Sequence, residues 1–140
     1  MLPFTICPVG DTAVLARFEQ RIAQEIGASV TALNLRVAKA KIPGVVETVP
    51  AFASLLVFYD PLQTDYDAVA SAVQALAQTA DSNASAGQGR LVEIPVCYGG
   101  SFGPDLPFVA KHAALSEQEV IARHAGREYR IYMLGFLPGF

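Results

Sequence analysis

Residues 81–89 read Asp-Ser-Asn-Ala-Ser-Ala-Gly-Gln-Gly, a stretch of small and polar side chains with no apolar period. Such a segment buries no face of a helix or a strand, and uninterrupted loops of that length are uncommon inside one compact domain. It divides the 140 residues into two parts, neither larger than a small domain. The bland alternative, a long surface loop within a single domain, is the weaker reading on length alone. The expected organisation is an amino-terminal domain over 1–80, a linker over 81–89 and the start of a second domain over 90–140.

In the first part, residues 4–7 and 13–18 read as short strands joined by Pro8-Val9-Gly10-Asp11, where glycine and aspartate supply turn geometry. Ile22, Ile26, Val30, Leu33 and Val37 recur at steps of four, four, three and four. That spacing puts them on one face of a helix over residues 20–40. Ile42-Pro43-Gly44 ends it. Residues 45–49 and 54–59 read as two more strands, and the second, Ser-Leu-Leu-Val-Phe-Tyr, is apolar enough to be covered on both faces. Thr64 is the expected N-cap of a second helix, with Val69, Val73 and Leu76 as its inner stripe and an end near Thr79. The order β-β-α-β-β-α makes this an α+β domain with two helices on one sheet face.

In the second part, residues 91–98 read as a strand, with Pro95 at an edge or a bulge because it lacks a ladder donor. Asp105 caps a short helix that reaches His112. Ser116 and Glu119 form a capping box, with Leu115 and Val120 as its hydrophobic staple. That helix runs to Ala125, and Gly126 is the expected left-handed stop. Residues 129–134 read as a final strand, followed by a loop over 135–140 rich in glycine and aromatics.

Composition narrows the function. Hydrophobic residues make up 52%, charged residues 16%, and the mean hydropathy is +0.35, which excludes intrinsic disorder. The longest apolar stretch, residues 51–59, is broken at Ser54 and falls far short of the roughly 20 residues of a spanning helix. So little charge leaves apolar surface to be covered by a partner. Ten Lys and Arg against thirteen Asp and Glu give a net charge of −3 with no basic run, so no nucleic-acid partner is expected. The amino terminus lacks a basic segment followed by an apolar core, which points to the cytoplasm and to reduced thiols at Cys7 and Cys97. Both cysteines are expected to be buried and inert.

Residues 97–105 join a strand to a helix through three glycines, and such a loop can turn backbone N–H groups toward an anion. Neither standard phosphate fingerprint is present, and a tight turn before a capped helix is the favoured alternative. His112 and His124 lack metal-ligand spacing, so no metal site is expected. His124 fits two roles equally: a cation at the end of a helix, or a site residue. Asp11 reads as an Asx-turn before it reads as a ligand. Tyr132, Phe136 and Phe140 read as core before they read as an aromatic patch. The residues alone yield a two-part α+β chain with a glycine- and aromatic-rich rim, and no reaction.

Three stretches go beyond composition. They are Ile42-Pro43-Gly44-Val45-Val46-Glu47-Thr48-Val49-Pro50 with Ser54-Leu55-Leu56-Val57 and Tyr59-Asp60-Pro61; Val92-Glu93-Ile94-Pro95-Val96-Cys97-Tyr98-Gly99-Gly100 with Phe102-Gly103-Pro104-Asp105-Leu106; and Tyr132-Met133-Leu134-Gly135-Phe136-Leu137-Pro138-Gly139-Phe140. Gly10-Asp11, Leu115-Ser116, Glu119-Val120-Ile121 and His124 fit the same pattern. Over nearly the whole chain the sequence resembles the B-subunit family of 5-oxoprolinase, also called allophanate hydrolase subunit 1, a carboxyltransferase-domain family that includes Kip-type inhibitors of a sporulation histidine kinase. The resemblance implies a small α+β domain followed by a cyclophilin-like β-barrel, here only its truncated start. It implies work with a C-subunit and a third component, opening 5-oxoproline to glutamate at the expense of ATP, with ATP and its Mg held by a partner. Under that reading, their location makes His124 and Asp105 the catalytic candidates. Tyr98, Gly99, Gly100, Gly103, Phe136 and Gly139 become the substrate- or anion-binding candidates.

In the family, the segment Gly-Phe-Leu-Pro-Gly-Phe is followed by more barrel. The chain by itself is therefore expected to be inactive, with strand edges open to a partner protein or to a second copy. The alternative function is a non-catalytic inhibitor that binds a sensor histidine kinase through residues 1–80.

Overall fold

The computed structural model describes residues 1–79 and 90–135. These fall into two compact units, divided between Gly89 and Arg90 and again between Arg130 and Ile131, so that residues 131–135 group with the first. The linker expected over 81–89 lies outside the described residues.

The first unit runs β1 (Thr5–Val9), β2 (Ala13–Arg17), α1 (Gln24–Ala40), β3 (Val45–Pro50), β4 (Ser54–Tyr59) and α2 (Tyr66–Gln78). The four strands form one antiparallel sheet in the order β1-β2-β4-β3. Val14 stands opposite Val57 and Ala16 opposite Leu55, and all four are completely buried. The alternation of a strand puts these residues on one face. Against that face α1 crosses β3 and β4, α2 crosses β2, and the two helices touch each other. Ile26, Val30, Leu33 and Val37 of α1 and Val69 and Val73 of α2 complete the core.

Three local expectations are corrected. Ile22 is not on the inner stripe: it is 73% exposed and precedes α1, which starts at Gln24. The cause is Gln20, whose side-chain amide donates to the carbonyls of Phe18 and Ala53 at 3.0 and 3.4 Å and holds the chain out of the helix. Phe18 and Ala23 take the apolar places instead. Next, Asp65 rather than Thr64 caps α2, its carboxylate accepting from the Ala68 N–H at 2.8 Å. Thr64 is occupied against Gly44. Finally, β4 is fully covered on one face only, since Leu56 and Phe58 on the other are half-buried.

The edges of the sheet are distinctive. Pro8 lies in β1 and Pro50 ends β3, and an edge strand tolerates proline because one side needs no donor. The pairing of β3 with β4 shifts between Val45 and Glu47, and the bulge leaves Val46 71% exposed.

Gly44 sits at φ +79°, and a Cβ there would stand 2.6 Å from Thr64 Cγ2. Gly44→Ala should therefore destabilise the first unit by about 2 kcal/mol, the left-handed strain and the clash combined. Urea unfolding measures this. Adding Thr64→Ser removes the methyl but keeps the Cβ, 2.9 Å away, and should recover only the part due to the methyl; full recovery would show that the backbone carries no strain.

The second unit contains a short 3-10 turn (Gly100–Phe102), α3 (Leu106–Ala113) and α4 (Glu117–Ala125). The strands expected over 91–98 and 129–134 do not form among the described residues. A strand exists only by its ladder, and neither segment has one here. Leu91, Ile94 and Ile131 are accordingly 67%, 72% and 72% exposed. For the same reason Cys97 is exposed rather than buried, while Cys7 is half-buried.

The capping box forms as expected. The Glu119 N–H donates to Ser116 Oγ at 3.2 Å, and the Ser116 N–H donates to Glu119 Oε2 at 2.8 Å. Leu115 and Val120 are both half-buried. Gly126 ends α4, but at φ −83° rather than left-handed. Its need for glycine is a close approach: a Cβ would lie 2.6 Å from the Ala122 carbonyl oxygen.

The bonds from the Ser116 N–H, then from its hydroxyl, hold the Glu119 carboxyl below its ordinary value of 4.5. A carboxylate whose pKa falls on folding stabilises above the unfolded value and loses that contribution as pH drops through the folded one. The box should thus be intact at pH 4.5 and above, and open only at lower pH as the carboxyl takes up its proton in the folded chain. The Ser116 amide resonance, followed by NMR, should move upfield on acidification. A Ser116 amide signal that stays in place while the Glu119 carboxyl carbon titrates would contradict the bond. No helix of the described residues is long and apolar enough to cross a membrane.

Candidate functional site

The glycine loop of the second unit is built by backbone necessity. Gly99 and Gly100 have φ of +77° and +55°, which side chains resist. Gly103 folds back onto Gly99 so closely that a Cβ would lie 2.7 Å from the Gly99 nitrogen. The Gly103 N–H donates to the Gly99 carbonyl at 3.1 Å, and the Leu106 N–H to the Gly103 carbonyl at 3.2 Å. Of the three glycine amides expected to face an anion, the Gly103 N–H is therefore committed inside the loop. Gly99 and Gly100 keep that candidacy.

Asp105 holds the N-cap position of α3, as expected, but its side chain makes no cap bond. Its backbone is already helical (φ −84°, ψ −10°), which turns the carboxylate away from the first-turn amides.

His124 occupies the last turn of α4. Its Nδ1 is hydrogen-bonded to the Tyr98 hydroxyl at 2.5 Å, with the two rings edge to face and their centroids 5.7 Å apart. The Tyr129 ring lies 5.4 Å from the imidazole, tilted by 41°. The Arg127 guanidinium carbon stands 5.2 Å above the Tyr129 ring, within reach of a cation–π attraction. The structure thus gathers Tyr98, His124, Arg127 and Tyr129 into one cluster. Among the described residues no hydrogen bond joins Asp105 to His124.

Two of the four members, Arg127 and Tyr129, have no periodicity of their own. Their signal is positional: they follow Gly126 directly, and the reversal there returns the chain onto the last turn of α4. Chemically, the cluster offers an imidazole, a phenol and a guanidinium beside one aromatic ring. His112 lies apart, stacked on Phe108 one helical turn before it with centroids 6.1 Å apart. Phe136 and Gly139 lie outside the described residues. Among the described residues no group of three or more His, Cys, Asp or Glu could hold a metal ion.

Comparison with known proteins gives a consistent result. A family model described as the carboxyltransferase domain, subdomain C and D, matches residues 4–140. A Bacillus subtilis protein named as the B-subunit of 5-oxoprolinase is 40% identical over 98% of this chain and 61% of its own length. An Escherichia coli O157:H7 protein of the same name is 35% identical over 94% of this chain and 59% of its own. Among solved structures, TTHA0988 is 35% identical with a TM-score of 0.70, over 91% of this chain and 24% of that one. The conserved uncharacterized protein PH0987 from Pyrococcus horikoshii is 42% identical with a TM-score of 0.50, over 96% of this chain and 61% of that one. The chain spans about three fifths of the length of the curated relatives it matches.

Proposed function

The chain belongs to the family of the carboxyltransferase domain, subdomain C and D, and on that footing we propose that it is part of the B-subunit of a 5-oxoprolinase. In this reading it serves an assembly that opens the lactam of 5-oxoproline to glutamate. The observation that carries the proposal is the 35–40% identity to proteins of that name over nearly all of this chain. An unstrained five-membered amide resists water, and ATP with Mg, held by partner subunits, would activate it in the cytoplasm. This chain's own contribution would come from the second unit. Gly99 and Gly100 amides would face a developing negative charge. His124, held by Tyr98, would hold a proton toward the substrate, and Asp105 would be the second polar candidate.

The two segments that form no strand among the described residues fit the same reading. Residues 91–98 and 129–134 would enter the ladder of a cyclophilin-like barrel completed by further strands, covering Leu91, Ile94 and Ile131. The test is ATP-dependent glutamate formation from 5-oxoproline by the full-length protein with its partner subunits. Turnover that needs all components is the expected result. A rate equal to that of the partners alone would overturn it, and inhibition of a histidine kinase without any turnover would favour the inhibitor reading.

A further inference from the structure

We propose that Arg127 and His124, both held against the Tyr129 ring, form the site that recognises the carboxylate of a carboxylate-bearing lactam. This rests on the functional reading above, and it names the group on the substrate that the cluster selects. The Arg127 guanidinium carbon stands 5.2 Å from the Tyr129 ring centroid, over the ring. A guanidinium carries its N–H donors in its own plane, where they match the two oxygens of a carboxylate. Among the described residues no acidic side chain forms an ion pair with Arg127.

The imidazole is prepared in the same sense. The Tyr98 hydroxyl is hydrogen-bonded to Nδ1, and in the tautomer where the hydroxyl donates, Nε2 carries the ring proton and presents a donor. Tyr98 is thus a positioning residue: its bond couples to the tautomer and holds the ring plane. Tyr129 adjoins both groups, its ring centroid 5.4 Å from that of His124. The competing role for these groups is to satisfy the carbonyl end of α4, which also favours cations. That role predicts a change in helix stability and no preference among ligands.

The experiment titrates the full chain with 5-oxoproline and with 2-pyrrolidinone, the same ring without a carboxylate, and follows the side-chain nitrogen resonances of His124 and Arg127 by NMR. Only 5-oxoproline should move them. Arg127→Gln should weaken its binding about tenfold or more, as the loss of a charge-assisted pair does, and His124→Gln should weaken it less. Tyr98→Phe should shift the imidazole nitrogens toward a mixture of tautomers, which a purely structural contact would not do. Unchanged Ser116 and Glu119 amide signals show that α4 is still folded in each variant.

An equal response to both ligands, or an unchanged affinity in Arg127→Gln, overturns the proposal. The two readings fail separately. Carboxylate-selective binding without turnover by the full assembly removes the enzymatic reading and leaves the site. Turnover whose KM is indifferent to Arg127→Gln removes the site and leaves the enzyme.

Discussion

Leu33→Ala should lower the stability of the first unit by about 3 kcal/mol, within the 2–5 kcal/mol typical of a buried leucine truncated in a closed core. Leu33 is completely buried on α1, the one helix that reaches β3, β4 and α2. Its neighbours in the core include Leu55, Val57, Val69 and Val73, all without exposed surface. A site walled by two helices and a sheet collapses poorly, so most of the vacated volume stays empty. The loss is a large share of what a unit of this size holds in reserve. Urea unfolding should show a lower midpoint at unchanged slope. Leu35→Ala on the same helix is the control: Leu35 is 59% exposed, and its truncation should cost well under 1 kcal/mol. Equal losses at the two positions would refute the assignment of the buried face.

Gly103→Ala should abolish most of the proposed lactam turnover, by about tenfold or more, while leaving the first unit intact. The methyl would fall 2.7 Å from the Gly99 nitrogen and 3.3 Å from its Cα. Both are backbone atoms, with no rotamer to yield. The loop must open, which costs about 1–3 kcal/mol as other overpacked sites do, and the bond from the Gly103 N–H to the Gly99 carbonyl is lost with it. Tyr98 precedes Gly99 directly, so its hold on His124 Nδ1 is displaced too. Amide shifts should be confined to the loop and the His124 cluster, and the urea midpoint of the first unit should not move. Full activity would show that the loop bears on no chemical step.

The sequence exposes these features unevenly, for physical reasons. The core of the first unit is legible because a helix stripe and a strand alternation are local periodicities: Val30, Leu33 and Val37, and Leu55 and Val57, announce their faces without help. The capping box is legible because Ser116 and Glu119 bond to each other across a single turn. Ile22 misleads because its spacing continues the stripe, while the stop comes from Gln20 reaching the Ala53 carbonyl, a contact across more than thirty positions. Thr64 misleads because its neighbour Asp65 is an equally good cap, and it is the Asp65 carboxylate that takes the Ala68 N–H while the Thr64 methyl packs beside Gly44. The strands over 91–98 and 129–134 carry correct strand composition, yet composition supplies no partner. In the site, Tyr98 and His124 are legible as residues of interest. Their union, and the addition of Arg127 and Tyr129, depends on how the chain turns after Gly126.

The two prolines at the borders of the sheet bear on how this molecule behaves in a crowd. A neighbouring chain that tried to zip itself onto β1 would find no amide at Pro8, and one approaching β3 would meet a bulge at Val46 and another missing amide at Pro50. Fibre growth needs an uninterrupted backbone template repeated from copy to copy, and neither border supplies one. High local concentration, as in an assembly that collects many copies, therefore need not drive these sheets into one another. Neighbours that do bind the first unit are left to recognise its side chains.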